Sequence, residues 1–242
     1  MQLTPFTNLG RRIESKVRKA LHEYDMVQDG KIAVALSGGK DSITLLRYLK
    51  EISGRGFVPF ELMAIHVGGD FTCGAGVNEN FLQGVCDQLN IPLVIRTSKQ
   101  KLETLECYSC SRERRTMLFE EAKKAGFKTV AFGHHSDDNA QTVLMNLLGK
   151  GEFAGHLPKL EMVDYGVTII RPLIFVTEEE IKTFAKMNGY LRTMCQCPVG
   201  QNSMRKKVEE LLKEIENIYP NVRDNVARSA LLYGSTKAMR NK

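Results

Sequence analysis

The stretch Ser37-Gly38-Gly39-Lys40-Asp41-Ser42 decides the fold, because it joins an apolar segment to a segment of helical periodicity. Residues 31–36 before it have the nearly continuous apolar pattern of a buried parallel strand. Residues 41–52 after it carry leucines and isoleucines at helical spacing. The two glycines permit a tight turn that exposes backbone N–H groups, and the start of the helix favours an anion. With the cationic Lys40 and two serine hydroxyls, this segment predicts a loop that binds phosphate.

The same alternation of strand and helix continues through most of the chain. Apolar runs predict further strands at 60–67, 93–96, 129–132 and 167–172, and helical periodicity predicts helices between them. This order is typical of an α/β fold with a parallel five-stranded sheet and helices on both faces. We expect ligands to bind at the carboxyl ends of the strands, as they do in other open sheets of this kind.

We expect three regions along the chain. Residues 1–28 predict a basic amphipathic helix, and residues 29–190 predict the domain that carries the phosphate loop. Residues 191–242 contain a cysteine motif and then a basic segment of helical periodicity, which we interpret as a small helical C-terminal appendage.

The charge balance favours a nucleic-acid partner. The 242 residues carry a net charge of +6, with an isoelectric point near 9.0. Basic chains attract phosphate backbones, although a solvated basic surface has the same composition. The sequence shows no signal-peptide pattern and no apolar stretch near the ~18 residues that span a bilayer. We therefore expect a cytoplasmic protein without a membrane partner.

Four of the six cysteines form two close pairs. Cys107 and Cys110 form a CxxC, and Cys195 and Cys197 form a CxC. In a reducing compartment such spacings favour metal or redox chemistry over structural disulfides. Three interpretations are open: a zinc site on four thiols, a redox disulfide within the first pair, or a 4Fe-4S cluster on three thiols with one iron open. Arginines within 112–115 would stabilise thiolates.

A second polar segment, Gly133-His-His-Ser-Asp-Asp-Asn-Ala-Gln-Thr142, follows another predicted strand. The carboxylates of Asp137 and Asp138 suit Mg²⁺, which prefers oxygen ligands, or would orient a nucleotide. An Asp-Asp pair that opens a helix also serves as a cap. Because this segment accompanies the phosphate loop, we favour the nucleotide role, more strongly for Asp138.

These motifs together resemble the PP-loop ATP pyrophosphatases, whose fold is of the adenine nucleotide alpha-hydrolase type. In that family the SGGKDS loop holds pyrophosphate, the strand matching 64–67 passes the adenine, and a GHxxDD segment matches 133–142. The resemblance implies ATP and Mg²⁺ as cofactors. The residues it implies for ATP binding are Leu36, Ser37, Gly38, Gly39, Lys40, Asp41, Ser42, His66, Val67, Gly133, His134 and Asp138. The residues it implies to be catalytic are Lys40, Asp41, Arg114 and Asp137.

The cysteines narrow the resemblance to the tRNA 2-thiocytidine synthetase group. The order is CxxCSRxRR, then GHHxDD, then a later cysteine motif. That group carries a 4Fe-4S cluster on three cysteines, so the resemblance implies Cys107, Cys110 and Cys197 as ligands. Cys195 is the alternative third ligand, because the later motif here is CxC where the group has CxxC.

The resemblance implies an ATP-dependent tRNA thiotransferase. Such an enzyme adenylates the C2 oxygen of a tRNA cytidine, releases pyrophosphate and AMP, and replaces the oxygen with sulfur. The implied partners are tRNA, ATP and a sulfur donor, either sulfide or a cysteine desulfurase, and the implied assembly is a homodimer. The alternatives are a tRNA 2-thiouridine synthetase, an adenylating enzyme like tRNA lysidine synthetase, and a zinc-stapled ATP- or RNA-binding protein.

Overall fold

Strands and helices alternate along the chain in the predicted order. The computed structural model describes residues 7–69, 77–98, 107–190 (backbone only for 107–110) and 204–233. A short 3₁₀ helix, Val163–Tyr165, separates β5 from β6. The α-helices are α1 (Asn8–Glu23), α2 (Lys40–Ile52), α3 (Glu79–Leu89), α4 (Cys107–Lys124), α5 (Ser136–Lys150), α6 (Glu178–Met187), α7 (Met204–Glu216) and α8 (Val222–Tyr233). The strands are β1 (Lys31–Ala35), β2 (Glu61–Gly68), β3 (Leu93–Thr97), β4 (Thr129–Ala131), β5 (Lys159–Met162) and β6 (Val167–Ile170).

The strands form one sheet in the order β3-β2-β1-β4-β6-β5. All neighbouring pairs are parallel except β5–β6, which is antiparallel. The predicted α/β fold is confirmed, but the strand count of five was wrong. β5 adds a sixth strand at the edge of the sheet, and its four residues Lys-Leu-Glu-Met lack an apolar run because none of them is fully buried. An edge strand tolerates that composition.

Two apolar clusters hold the helices against opposite faces of the sheet. One joins the strands to α1, α2, α3 and α6. The other joins them to α4 through Leu118, Phe119 and Ala122. Burial of both faces explains why β1 and β2 have almost continuous apolar sequences. None of the helices in the part of the chain described here has the length and apolar character that a bilayer crossing needs.

The basic helix α1 packs into the core and has many of its charges paired. Ile13, Val17 and Leu21 are buried in the first cluster. On its polar side, Nε of Arg12 and Nζ of Lys16 lie 2.9 and 2.7 Å from the carboxylate of Glu180 at the start of α6. Arg18 pairs with Glu14. Part of the positive charge of this helix therefore fixes α6, rather than remaining available for a partner.

The C-terminal helices α7 and α8 pack on α5. Asn139 of α5 is fully buried, donates from Nδ2 to the carbonyl of Ala227 at 3.1 Å, and accepts from the amide of His156 at 2.7 Å. Arg223 of α8 pairs with Glu209 and Glu216, each at 2.8 Å. These contacts bind the end of the chain to the helix that follows β4.

Candidate functional site

The predicted phosphate loop connects β1 to α2 at the carboxyl edge of the sheet. Gly38 has φ +82°, and an added Cβ there would lie 2.7 Å from Cγ1 of Val77, so a side chain is excluded on two grounds. The N-caps of α1, α3, α5 and α6 accept a backbone N–H through a side chain. Gly39, the N-cap of α2, makes no such bond. The first turn of α2 therefore keeps free amide donors for an anion.

Lys40 is the cation of this loop, and two carboxylates hold it. Its Nζ lies 3.0 Å from Oδ1 of Asp41 and 3.2 Å from Oε1 of Glu178 on α6. Burial lowers the pKa of Lys40, but the two carboxylates outweigh burial and raise it above its ordinary value. For Glu178 the signs are opposite: burial raises the pKa, but the positive charges of Lys40 and Lys182 outweigh burial and lower it below its ordinary value. The ammonium is thus charged and positioned before any phosphate arrives.

The segment after β4 packs directly on the loop. An added Cβ at Gly133 would lie 3.1 Å from the backbone of Asp41 and Ser42, so a side chain here would press on the loop backbone. His135 caps α5 reciprocally: its imidazole accepts from the amide of Asp138, whose carboxylate accepts from the amide of His135. Nε2 of His135 also lies 3.7 Å from the Asp41 carboxylate, so the two carboxylates approach one imidazole from α5 and α2.

The two aspartates of the GHHxDD segment have different surroundings. Asp137 accepts the amide N–H of Glu178 at 2.7 Å and lies 3.8 Å from Arg223, so its carboxylate joins α5 to α6 and α8. Asp138 accepts from Nη1 of Arg205 at 2.8 Å. The cap interpretation and a nucleotide role are therefore compatible for Asp138, while Asp137 is committed to contacts within the fold.

The end of β2 lies on the other side of the loop. Nδ1 of His66 donates to the carbonyl of Leu36 at 2.7 Å. Burial lowers the pKa of His66, and the positive charge of Arg114 lowers it further, so the imidazole is neutral. Nη2 of Arg114 donates to the carbonyl of Val67 at 3.2 Å, and its Nε is buried without a partner. Arg114 thus ties α4 to the strand end where the resemblance places the adenine.

The first cysteine pair lies in the opening turn of α4. Cys107 and Cys110 are three positions apart, so the backbone places both on the side of α4 that also carries Arg114. Arg114 contacts the end of β2, which neighbours β1 in the sheet. Cys195 and Cys197 lie outside the described residues. Among the described residues, no group of three or more histidine, cysteine or acidic side chains has the arrangement of a metal site.

A third group of polar side chains follows β6. Nε of Arg171 donates to Nδ1 of His134 at 3.3 Å. The His134 ring stacks on Phe132 at 5.7 Å and on His156 at 4.5 Å between ring centres. Burial lowers the pKa of His156 to about 3, and the same cause holds the pKa of His134 well below its usual 6.5. Both imidazoles are therefore neutral near pH 7.

Sequence reasoning did not assign three of these residues to the site: Glu178, Arg171 and His156. Glu178 lies in the first turn of α6, and only the fold brings it to Lys40. Arg171 follows directly on a strand, which is the position where ligand-binding residues of α/β sheets concentrate. The predicted strand 167–172 included Arg171, so this placement became visible only in the structure, where β6 ends at Ile170.

Comparison with known proteins gives concordant matches. Residues 9–191 match the model of the PP-loop domain family. A tRNA-cytidine(32) 2-sulfurtransferase of Pelobacter propionicus is 33% identical over 236 residues, covering 91% of this chain and 85% of the relative. One of the same name from Citrifermentans bemidjiense is 34% identical over 224 residues, covering 89% and 88%.

A solved structure shares the fold. A U34-tRNA thiolase from Methanococcus maripaludis, determined with its 4Fe-4S cluster, superposes with a TM-score of 0.74. The alignment has 24% identity and covers 91% of this chain and 78% of that one. At this identity the match establishes a common architecture.

Proposed function

Because this chain belongs to the PP-loop domain family, and within it to the tRNA-cytidine(32) 2-sulfurtransferases, we propose that it thiolates a tRNA cytidine at C2 at the expense of ATP. The proposed target is cytidine 32, as in the names of these relatives. The observation that carries the proposal is a coincidence of position. An uncapped phosphate loop and a helix that begins with CxxC meet at the same edge of one sheet.

The described residues fit ATP as the activating substrate. The free amides of the first turn of α2 and the ammonium of Lys40 suit the pyrophosphate that leaves. The C2 oxygen of the cytidine attacks the α-phosphorus, and the bond between the α-phosphorus and pyrophosphate breaks. A sulfur nucleophile then attacks C2, and AMP departs with the original oxygen. Lys40 and the helix terminus stabilise negative charge in the first step. We propose Asp41 and Asp138 as the carboxylates that face Mg²⁺.

The cysteine turn fits a 4Fe-4S cluster by its donor chemistry and by its position. Two thiolate donors one helical turn apart, with Arg114 on the same face, give a compact anionic site beside a guanidinium. We propose Cys107, Cys110 and Cys197 as ligands, with Cys195 as the alternative third one. When bound, the cluster would hold the donated sulfur for transfer. Arg114, which is anchored on the Val67 carbonyl, holds the cysteine turn next to the nucleotide.

The finer identities of the partners also belong to this proposal. Sulfide or a cysteine desulfurase supplies the sulfur, and the enzyme acts as a cytoplasmic homodimer. The support is the similarity to the sulfurtransferase group and the positive net charge of +6, which suits a polyanionic RNA.

The test combines metal analysis with product analysis. Protein purified without oxygen is analysed for iron, acid-labile sulfide and zinc, and is then incubated with ATP, Mg²⁺, sulfide and tRNA. We expect about four irons per chain, release of AMP and pyrophosphate, and 2-thiocytidine in the digested tRNA by mass spectrometry. One zinc and no iron, with no AMP formed on any tRNA, would refute the proposal.

Cysteine variants locate the ligands. Cys107→Ala and Cys110→Ala should lose the iron and the thiolated product, because each removes one ligand of a three-ligand site. Cys86→Ala is the matched control, because this thiol is fully buried on α3, within the apolar core. It should retain the iron. Comparing Cys195→Ala with Cys197→Ala identifies the third ligand. Full activity in Cys107→Ala would instead favour a lysidine-synthetase-like reaction.

A further inference from the structure

Arg171 is a buried cation with unusual partners. The residue is 6% exposed, and its guanidinium donates to the neutral His134 ring and to the carbonyl of Leu157. Within the described ranges, no carboxylate lies within ion-pair distance of it. Asp138, whose charge acts on Arg171 from further away, pairs with Arg205. Burying a charge is costly unless the charge is paired and hydrogen-bonded, so an anion that binds from outside the fold would supply the counter-charge that Arg171 lacks.

A second buried arginine, Arg47, has its charge compensated by groups within the fold. Arg47 is 4% exposed and also lacks a carboxylate among the residues described. Its guanidinium, however, lies over the rings of Phe184 and Tyr190, at 5.5 and 5.6 Å, and donates to Asn188. Aromatic faces compensate a cation within the fold. No aromatic face covers Arg171 in the part of the chain described, so its charge is available for a ligand.

The rings beside Arg171 form a stacking surface. The ring of His134 lies between those of Phe132 and His156, with interplanar angles of 13° to Phe132 and 23° to His156. His134 and His156 are only partly buried, so the stack is not sealed inside the core. Arg115 and Arg205 lie close enough to act electrostatically on both imidazoles. Neutral rings framed by guanidinium groups suit a nucleobase and its phosphodiester.

The position of this group separates it from the phosphates of ATP. The phosphate loop follows β1, the GHHxDD segment follows β4, and Arg171 follows β6, and these three strands are adjacent. With a strand spacing of about 4.8 Å, the ends of β1 and β6 are roughly 10 Å apart. His66 and Val67, on the adenine side by resemblance, lie at the end of β2, on the opposite side of the loop. Arg171 therefore faces a ligand other than the pyrophosphate or the adenine.

We propose that Arg171 and the His134–His156 stack form the pocket that receives the target nucleotide of the RNA. This assigns to the RNA the ring of His134, which the resemblance implied for ATP. The guanidinium of Arg171 binds a phosphodiester, and the half-buried imidazole of His156, at the end of the stack, takes the flipped base. Asp138, which pairs with Arg205 at the rim, lies between this pocket and the loop, so the base enters from the β6 side. This inference rests on the proposed function, because it assigns the RNA side of the same reaction.

The test measures binding of two stem-loop RNAs and of ATP separately. The first RNA carries the cytidine that the wild-type enzyme thiolates, and the second is abasic at that nucleotide. Binding is followed by fluorescence anisotropy at fixed salt without ATP, and MgATP binding by calorimetry. The wild type should prefer the cytidine RNA roughly 10-fold, the contribution of one stacked base.

His156→Ala and Arg171→Gln should have different effects. His156→Ala should abolish the preference for the cytidine RNA, because the stack is lost, whereas His156→Phe should keep it. Arg171→Gln should lower the affinity for both RNAs about 10-fold, because a charged hydrogen bond to phosphate is lost, and should retain the preference for the cytidine RNA. MgATP affinity should remain within about 3-fold of the wild type in each variant. Arg47→Gln controls for the loss of a buried guanidinium and should alter neither RNA affinity.

Two outcomes would overturn the pocket. If Arg171→Gln lowers the affinities for ATP and for RNA equally, Arg171 belongs to the ATP site and not to a separate RNA pocket. Unchanged RNA affinity in Arg171→Gln and in His156→Ala, with native circular dichroism, would make the group structural. Thiolation by the wild-type enzyme is measured on the same RNA. If either of these outcomes is found while the wild type still makes 2-thiocytidine, the pocket is wrong and the proposed function stands. If the wild type makes no 2-thiocytidine, the proposed function itself is contradicted.

Discussion

Lys40 and Arg171 lie at the same edge of the sheet, two strands apart, in opposite electrostatic surroundings. Lys40 is held by the carboxylates of Asp41 and Glu178, at 3.0 and 3.2 Å. Arg171 is held by a neutral imidazole and a carbonyl. Each cation is poorly exposed, so exposure does not explain the difference. What differs is whether the fold itself supplies the counter-charge.

The comparison separates two ways of preparing a cation for a ligand. The pair of carboxylates keeps Lys40 protonated and oriented, but a phosphate must compete with both of them. Arg171 has neutral hydrogen-bond partners, so no carboxylate of the described residues neutralises its charge. Burial lowers the pKa of Arg171 to about 10, and the positive charge of Arg115 lowers it further. We infer that the loop around Lys40 suits a nucleotide that binds and leaves in each reaction cycle. The side of the sheet at β6 suits an anionic ligand that supplies the missing counter-charge of Arg171.

The largest expected effect comes from removing the loop cation. Lys40→Ala should lower the rate of AMP and pyrophosphate release with tRNA by about 1,000-fold, because a preorganised donor to developing negative charge is lost. Lys50→Ala, an exposed lysine in the last turn of the same helix, is the matched control and should leave the rate unchanged. A decrease smaller than 10-fold would mean that the helix terminus binds the phosphates without this side chain.

The pH dependence of stability should distinguish the two sides. His156, with its pKa lowered to about 3 from 6.5, binds fewer protons in the folded than in the unfolded state, so stability falls as pH drops below 6.5. Glu178, with its pKa lowered, contributes stability that is fully present above 4.5 and is lost as pH falls through its folded pKa. Between pH 6.5 and 4.5 the buried histidines, which are His134 and His156 in the stack and His66 beside the loop, should therefore lose stability while Glu178 does not, by up to about 1.4 kcal/mol per pH unit for each imidazole.

Urea unfolding at several pH values measures this slope. His156→Gln should reduce it, because the variant cannot take up the proton. The exposed His22, in the last turn of α1, provides the control, and His22→Gln should retain the wild-type slope. A slope that His156→Gln does not change would show that the imidazole stack is not the acid-sensitive part of the fold.

The smallest expected effect concerns the competition for Lys40. Glu178→Gln keeps the shape of the side chain and removes one negative charge near the incoming phosphates. MgATP should bind about 3- to 10-fold more tightly, because one anion less opposes it. Glu179→Gln, its exposed neighbour, should leave the dissociation constant unchanged. Weaker ATP binding in Glu178→Gln would show that orienting Lys40 outweighs competition for it.

The sequence predicted the central part of the fold because local patterns specify it. The apolar run 31–36, the two glycines and the helical spacing after Asp41 act within a few residues, and β1, the loop and α2 follow them. The α/β sheet is confirmed on this basis. β5 was missed because its pairing with β6 depends on the sheet edge and not on an apolar pattern of its own. The predicted division at residues 28 and 190 stays a prediction.

The site was predictable where one segment holds several of its residues. SGGKDS and GHHxDD each concentrate donors at one strand end, and the structure places them in contact through Gly133. Glu178 and Arg171 were missed because their roles depend on which strand ends are adjacent, which no local pattern gives. The cluster ligands stay predictions: Cys195 and Cys197 lie outside the described residues, and the backbone alone places Cys107 and Cys110.

The buried amide of Asn139 has a consequence for how the protein is made. One of its bonds goes to the amide of His156 and the other to the carbonyl of Ala227, 88 residues further along the chain. Until residue 227 has been synthesised, the second bond has no partner, and an unsatisfied polar group opposes burial of that part of α5. The helix that follows GHH should therefore complete its packing late in translation. A nascent chain truncated before α8 should be more sensitive to protease around α5 than the finished protein.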